Sequence, residues 1–195
     1  MRLCGNFNKP IPRKVVICGD GACGKTSLLN VFMSGLFPHS YEPTVFENYI
    51  QELTIDGEDV VLSMWDTAGQ EEFDRLRAHS YKDTHVIMLC FSIDNPDSLE
   101  NIANRWLSEI QQHCPQAKIV LVALKCDLRD TKTSTTPVLY EQGLEVARRI
   151  NAVRYLECSA KHNRGVRECF QQAARVSLTV NNGKKSHYSR ACIIT

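Results

Sequence analysis

The feature that most constrains this chain is a glycine-rich octapeptide set between two patterned segments. Val15-Val-Ile-Cys18 is a short apolar run that stops at Gly19. Such runs form strands buried on both faces of a parallel sheet. Gly19, Asp20, Gly21, Ala22, Cys23, Gly24, Lys25 and Thr26 then match G-x-x-x-x-G-K-[ST], with Ser27 next. From Lys25 to Ser34 the spacing of Leu28, Leu29, Phe32 and Met33 predicts a helix with one apolar face. A glycine-rich loop between strand and helix turns its backbone N–H groups inward, and the helix N-terminus adds partial positive charge. The pattern therefore predicts a cradle for the phosphates of a nucleoside triphosphate, with Lys25 reaching the β- and γ-phosphates and the Thr26 hydroxyl on Mg²⁺. The competing reading is a ligand-free turn, and the motif leaves the base open.

The rest of the chain alternates in the same way. Phe46–Ile55 and Glu58–Trp65 flank Asp56-Gly57, a hairpin signal. Val86–Phe91 and Ile119–Ala123 read as buried strands, with a short strand near Tyr155. Helices are predicted over Pro96–His113, capped by Asn95, and over Pro137–Ile150 and Val166–Val180. Alternating strands and helices predict an α/β fold with a mainly parallel sheet and helices on both faces. Ligands then lie at the carboxyl ends of the strands, in the loops after Cys18, Trp65, Ala123 and Glu157.

Composition excludes other classes. At 195 residues, with 43% hydrophobic and 23% charged residues, the chain suits one domain. A net charge of +1 gives no global attraction for nucleic acid. Nine cysteines, an odd number without Cys-x-x-Cys spacing, point away from a disulfide framework or zinc site and towards a reducing compartment. Met1–Asn6 lacks the apolar stretch of a signal peptide, and Val86–Phe91 is too short to span a bilayer.

Three further segments follow strands. Lys125-Cys-Asp127 places a carboxylate where it can accept hydrogen bonds from guanine N1–H and the 2-amino group, a donor pair that adenine lacks. Cys158-Ser159-Ala160-Lys161 follows the last strand. Trp65-Asp-Thr-Ala-Gly-Gln70 ends a strand and opens a loop. There Asp66 can hold Mg²⁺ through water, the Gly69 N–H can touch the γ-phosphate because no side chain blocks it, and Gln70 can orient the attacking water.

In this order the segments resemble the Ras superfamily of guanine-nucleotide switches, over about Lys14 to Val180 plus the last four residues. The resemblance implies a P-loop G domain with a six-stranded sheet, one strand antiparallel in a hairpin, and GTP, GDP and Mg²⁺ as ligands. It implies that the backbone of the Ser159-Ala160-Lys161 element meets the guanine O6. Thr44, in the polar loop before the hairpin, resembles the switch threonine that ligates Mg²⁺ and meets the γ-phosphate only in the GTP state. Phe37 would pack on the guanine and Tyr41 cover the phosphates, ordinary packing being the alternative. Gly21 and Gln70 are both kept. A side chain at position 21 would crowd Gln70 and an incoming arginine, so a hydrolysing switch is expected over a GTP-loaded scaffold. A small P-loop kinase is the other alternative, lacking here a lid and a second substrate site.

Pro43-Thr44-Val45-Phe46-Glu47-Asn48-Tyr49 and Trp65–Glu71 look like the Rho branch. That branch implies effectors reading residues 44–49, exchange factors, a GTPase-activating protein supplying an arginine, a dissociation inhibitor, a monomeric state, and roles in cell polarity and actin organisation. Two departures stand out. Leu124 replaces the asparagine of the Asn-Lys-x-Asp element, and leucine can neither hydrogen-bond the base nor brace the phosphate loop. Only 32 positions (159 − 127) separate Asp127 from Ser159, too few for the inserted Rho helix. With a cysteine near the start, these features are similar to a fungal Rho subgroup tied to polarised growth and exocytosis. Residues 1–13 are expected to be an extension, 14–180 the G domain, and 181–195 a disordered tail. Cys192-Ile-Ile-Thr195 fits a prenylation motif. One chain anchors only marginally, so a second signal is expected, with Cys4 the candidate acylation site or else an inert thiol. The expected place is the cytoplasmic face of the plasma membrane, with a cytosolic pool.

Overall fold

The computed structural model describes residues 9–40, 43–130 and 136–180. Its strands are β1 (Ile11–Gly19), β2 (Phe46–Ile55), β3 (Glu58–Thr67), β4 (Val86–Ser92), β5 (Lys118–Leu124) and β6 (Arg154–Glu157). They form one six-stranded sheet in the order β2-β3-β1-β4-β5-β6. β2 is antiparallel to β3, and the other pairings are parallel. This is the architecture the sequence predicts. The hairpin turn forms at Asp56 and Gly57, whose φ values of 52° and 88° suit the type I′ turn that matches strand twist.

The helices are α1 (Lys25–Ser34), α2 (Asp74–Ser80), α3 (Pro96–Asn101), α4 (Leu107–His113), α5 (Tyr140–Arg149) and α6 (Val166–Leu178). The period-two alternation of the strands divides the core. Val15, Ile17, Met88, Cys90 and Val120 pack with α1 and α6. Val16, Cys18, Ile87, Leu89 and Leu121 pack on the other face, against Trp106, Ile110 and Ala147. The stretches buried on both sides, residues 15–18, 86–91 and 119–124, are therefore apolar without interruption. On the first face Phe32 of α1 and Phe170 of α6 stack with ring centroids 4.0 Å apart.

Several boundaries differ from expectation. The predicted 96–113 helix contains a π-helical turn, Ile102–Trp106, between α3 and α4. Asn95 occupies the cap position, but its side chain makes no cap bond. The Ser98 hydroxyl instead donates to the Asn95 carbonyl at 2.6 Å and accepts from the Ser92 N–H at 3.0 Å. α5 begins at Tyr140 rather than Pro137, because Leu139 is extended and its N–H donates to Gln142 Oε1 at 2.8 Å. α6 stops at Leu178, short of Val180. α2 carries no apolar periodicity, since its anchors are the buried residues Arg77 and Ser80. No helix among the described residues is long and apolar enough to cross a membrane.

Phe170→Ala removes a ring that is fully buried between α6 and the sheet. It is expected to cost about 3–5 kcal/mol, read from urea unfolding with all ligands held constant. An unchanged midpoint would show that this face can collapse around the lost ring.

Candidate functional site

The site begins where β1 leaves the sheet. A Cβ on Gly19 would lie 2.0 Å from the carbonyl oxygen of Cys90 on β4, so only glycine can turn there. Ala22 and Gly24 have φ of 58° and 107°, which curls the loop around a cavity of about 300 Å³. No side chain caps α1 at its first turn. The cavity wall thus combines inward backbone with a helix N-terminus, an anion site by construction. Lys25, 6% exposed, donates to the carbonyls of Gly19 at 2.8 Å and Asp20 at 2.7 Å and lines the same cavity.

Oxygen donors converge beside it. Thr26 Oγ1 donates to Asp66 Oδ2 at 2.6 Å and lies 2.5 Å from Thr44 Oγ1. Its single proton goes to the carboxylate, so the Thr44 hydroxyl donates to Thr26. Asp66 is fully buried, and its other oxygen, Oδ1, has no hydrogen-bond partner. Burial pushes its carboxyl up from 3.8 to about 6, against the pull of the Thr26 bond and Lys25. An all-oxygen set with one orphaned buried carboxylate oxygen suits a small hard cation.

The loop after β3 closes against the cradle. A Cβ on Gly69 would fall 2.2 Å from the Gly21 nitrogen and 2.6 Å from the Gly19 carbonyl oxygen. The glycine predicted to leave room for a phosphate therefore leaves room first for the phosphate loop itself. A Cβ on Gly21 would lie 3.8 Å from the Gln70 carboxamide, ordinary contact rather than a clash. The crowding expected at position 21 thus needs something bulkier than a methyl group. The Ala68 N–H donates to the Val45 carbonyl at 3.3 Å, which ties this loop to the Thr44 segment.

A second cavity of about 130 Å³ adjoins the first. Phe37, Leu124, Asp127, Ala160 and Lys161 line it, and Lys125 lines both. Lys125 sits in the left-handed region at φ 58°, with its ammonium 3.3 Å from Asp94. Leu124 is buried, its Cδ1 3.7 Å from where a Gly24 Cβ would be. It lies beside the phosphate loop and offers it no side-chain hydrogen bond. Ser159 is fully buried and stands behind the cavity wall. Its hydroxyl accepts from the His162 N–H at 3.1 Å, and its N–H is paired with the Arg164 carbonyl at 2.9 Å.

Two cradle side chains also point away from the cavity. Asp20 accepts from Asn101 Nδ2 at 2.8 Å and Trp106 Nε1 at 2.7 Å, and Cys23 Sγ turns towards the Cys90 carbonyl. Only their backbone can serve a ligand in the cradle. Val45, Phe46, Glu47 and Asn48 form an exposed strip, with Tyr49 half-buried and hydrogen-bonded to Glu47. Tyr41, Cys4 and Cys192 lie outside the described residues.

Motif spacing misses one group. Arg77 of α2 is buried and donates to the carbonyls of Ala68 at 2.7 Å and Gln70 at 3.4 Å. It also binds Asp74 and both oxygens of Glu109, and lies 4.6 Å over the Trp106 ring. Trp106 therefore joins the Gln70 loop, through Arg77, to the phosphate loop, through Asp20. No local pattern marks a lone arginine and a tryptophan as partners.

A model of the Ras family matches residues 14–179. GTP-binding protein rho3 of Schizosaccharomyces pombe is 56% identical over 199 residues, covering 97% of each chain. GTP-binding protein RHO3 of Saccharomyces cerevisiae is 53% identical over 227 residues, covering 98% of each. GTP-binding protein rho1 of Schizosaccharomyces pombe is 52% identical over 180 residues, covering 88% of this chain and 89% of its own.

Trp106→Phe keeps a ring beside Arg77 but deletes the donor to Asp20. It is expected to destabilise the protein by about 1–3 kcal/mol in urea unfolding. No loss would mean that Asn101 alone satisfies the carboxylate.

Proposed function

Because the chain belongs to the Ras family and, within it, to the fungal Rho subgroup of small GTPases, we propose that it is a cycling switch whose guanine nucleotide spans the two adjoining cavities. The observation that carries this reading is their junction at Lys125: a phosphate cradle on one side, and on the other a slot floored by Leu124 and edged by Asp127. Guanine enters the slot beside Phe37 and donates from N1–H and its 2-amino group to Asp127. Ala160 and Lys161 bound the same slot, with buried Ser159 holding their turn.

The residues around the cradle act by charge and position. The Lys25 ammonium, set by two loop carbonyls, meets the β- and γ-phosphates. Thr26, Thr44 and Asp66 would hold Mg²⁺, which neutralises phosphate charge when bound. Gly69 keeps its loop in contact with the cradle, so Gln70 reaches the γ-phosphate end and orients the attacking water. Loss of the γ-phosphate removes a partner of Thr44, and the strip 44–49 that effectors read changes with it.

The same reading extends to regulators and place. Exchange factors, an arginine-supplying GTPase-activating protein, a dissociation inhibitor and effectors would act on a monomer. A prenyl group on Cys192, helped by an acyl group on Cys4, would hold the protein at the cytoplasmic face of the plasma membrane, with a cytosolic pool. The outputs would be cell polarity, actin organisation and exocytosis. A GTP-loaded scaffold is the alternative, and retention of Gly21 and Gln70 favours hydrolysis.

Single-turnover phosphate release from bound GTP tests the cycle. The expected rate is slow alone, rises roughly 10³–10⁵-fold with a Rho-type GTPase-activating domain, and is abolished by Gln70→Leu. A flat rate with GTP still bound would establish the scaffold instead.

Asp66 offers a separate check. Its carboxyl is raised from 3.8 to about 6 in the cation-free protein. The native state then holds a proton that the unfolded chain releases. That contribution to stability is full below pH 3.8 and is lost as pH rises through about 6. A cation on these oxygens favours the charged form and opposes the loss. Chelation by EDTA should therefore lower Tm more at about pH 7.5 than at about pH 5.5. Equal drops would remove Asp66 from the cation site.

A further inference from the structure

The two loops that edge the base slot come from distant parts of the chain, and Leu124 supplies no hydrogen bond to hold them in place. Other contacts join them. The Cys126 N–H donates to the Cys158 carbonyl at 3.1 Å, and Arg164 Nη2 lies 3.4 Å from Cys126 Sγ. The strongest link is Arg129, at the far side of the short 3₁₀ turn Cys126–Asp130 that carries Asp127. Its Nη1 and Nη2 donate to the two carboxylate oxygens of Glu157 at 2.6 and 2.8 Å. Its Nε and Nη2 also donate to the Val138 carbonyl, at 3.3 and 3.2 Å.

Glu157 is the last residue of β6, directly before the Cys158–Lys161 turn. Tyr155 braces it, donating from its hydroxyl to Oε1 at 2.7 Å. Tyr155 is seated by Gly143 of α5, where a Cβ would fall 2.1 Å from that hydroxyl. Val138 in turn donates to the Ile93 carbonyl at 2.8 Å, so the clamp is tied to the end of β4. The pair is only partly exposed, with side chains at 26% and 15%. A two-point fork of this kind fixes orientation as well as distance, as a single lysine charge cannot.

We propose that Arg129 and Glu157 are positioning residues for guanine recognition: their clamp sets the spacing between Asp127 and Ala160 across the base slot, and with it base selectivity and the lifetime of bound nucleotide. The inference rests on the guanine reading of the slot. Neither residue lines the slot, so the effect is exerted through the loops.

The test is dissociation of GDP and of inosine diphosphate, which lacks the 2-amino group, from the full-length protein, with urea unfolding in parallel. The wild type should release inosine diphosphate at least ~10-fold faster than GDP, the loss of one hydrogen bond to a charged acceptor. Arg129→Ala should speed GDP release ~10-fold and shrink the ratio between the two nucleotides towards one. Arg129→Lys and Glu157→Gln keep part of the link and should fall between, which also provides a reading if the alanine variant does not fold. A lower unfolding midpoint with the nucleotide ratio unchanged would make the pair merely structural and overturn the proposal. A wild type that does not distinguish the two nucleotides would overturn the Asp127 reading itself, whatever the variants do.

Discussion

The site depends on a close approach of three stretches of backbone. The phosphate loop passes the Cys90 carbonyl on one side and Gly69 on the other, at separations that leave no room for a Cβ at Gly19 or Gly69. Close packing of this kind transmits position, because interiors do not deform freely. Once Gly19 lies against β4, the start of α1 is set, and with it Lys25 and Thr26. Once Gly69 lies against Gly21, the end of β3 is set, and with it Asp66 and Gln70.

A polar scaffold on the other face of the sheet holds the same pieces. A buried arginine is costly unless all its donors are used. Arg77 uses its donors on Glu109, Asp74 and the carbonyls of Ala68 and Gln70. Trp106 adds its ring to Arg77 and its N–H to Asp20. The π-helical turn containing Trp106 brings that residue to both partners. A shift in either loop is therefore felt by the other through one side chain.

The base slot is built differently. Its floor is the apolar Leu124, and its edges are stitched together by Arg129, Glu157 and the Cys126–Cys158 backbone bond. The two halves of the site thus rest on separate supports, glycine contacts and the Arg77–Trp106 scaffold for the phosphate half and the Arg129–Glu157 fork for the base half. Gly24, Ser27 and Lys125 line both cavities.

Much of this was legible in local sequence. The apolar runs Val15–Cys18 and Ile119–Ala123, the Asp56-Gly57 turn, and the order of the four motifs determined the α/β fold, the direction of the sheet and the loops that meet at its carboxyl edge. These signals are short in range: side-chain period, turn chemistry and the needs of a phosphate for backbone N–H groups. They could not place Ser159 behind its wall, turn Asp20 out of the cradle or find α2. Those outcomes hang on bonds between residues far apart in the chain, such as Asp20 with Trp106, Arg77 with Glu109 and Arg129 with Glu157. Only the tertiary structure decided them, because a buried polar group takes whichever partner the packing brings within reach, and no spacing along the chain records that choice.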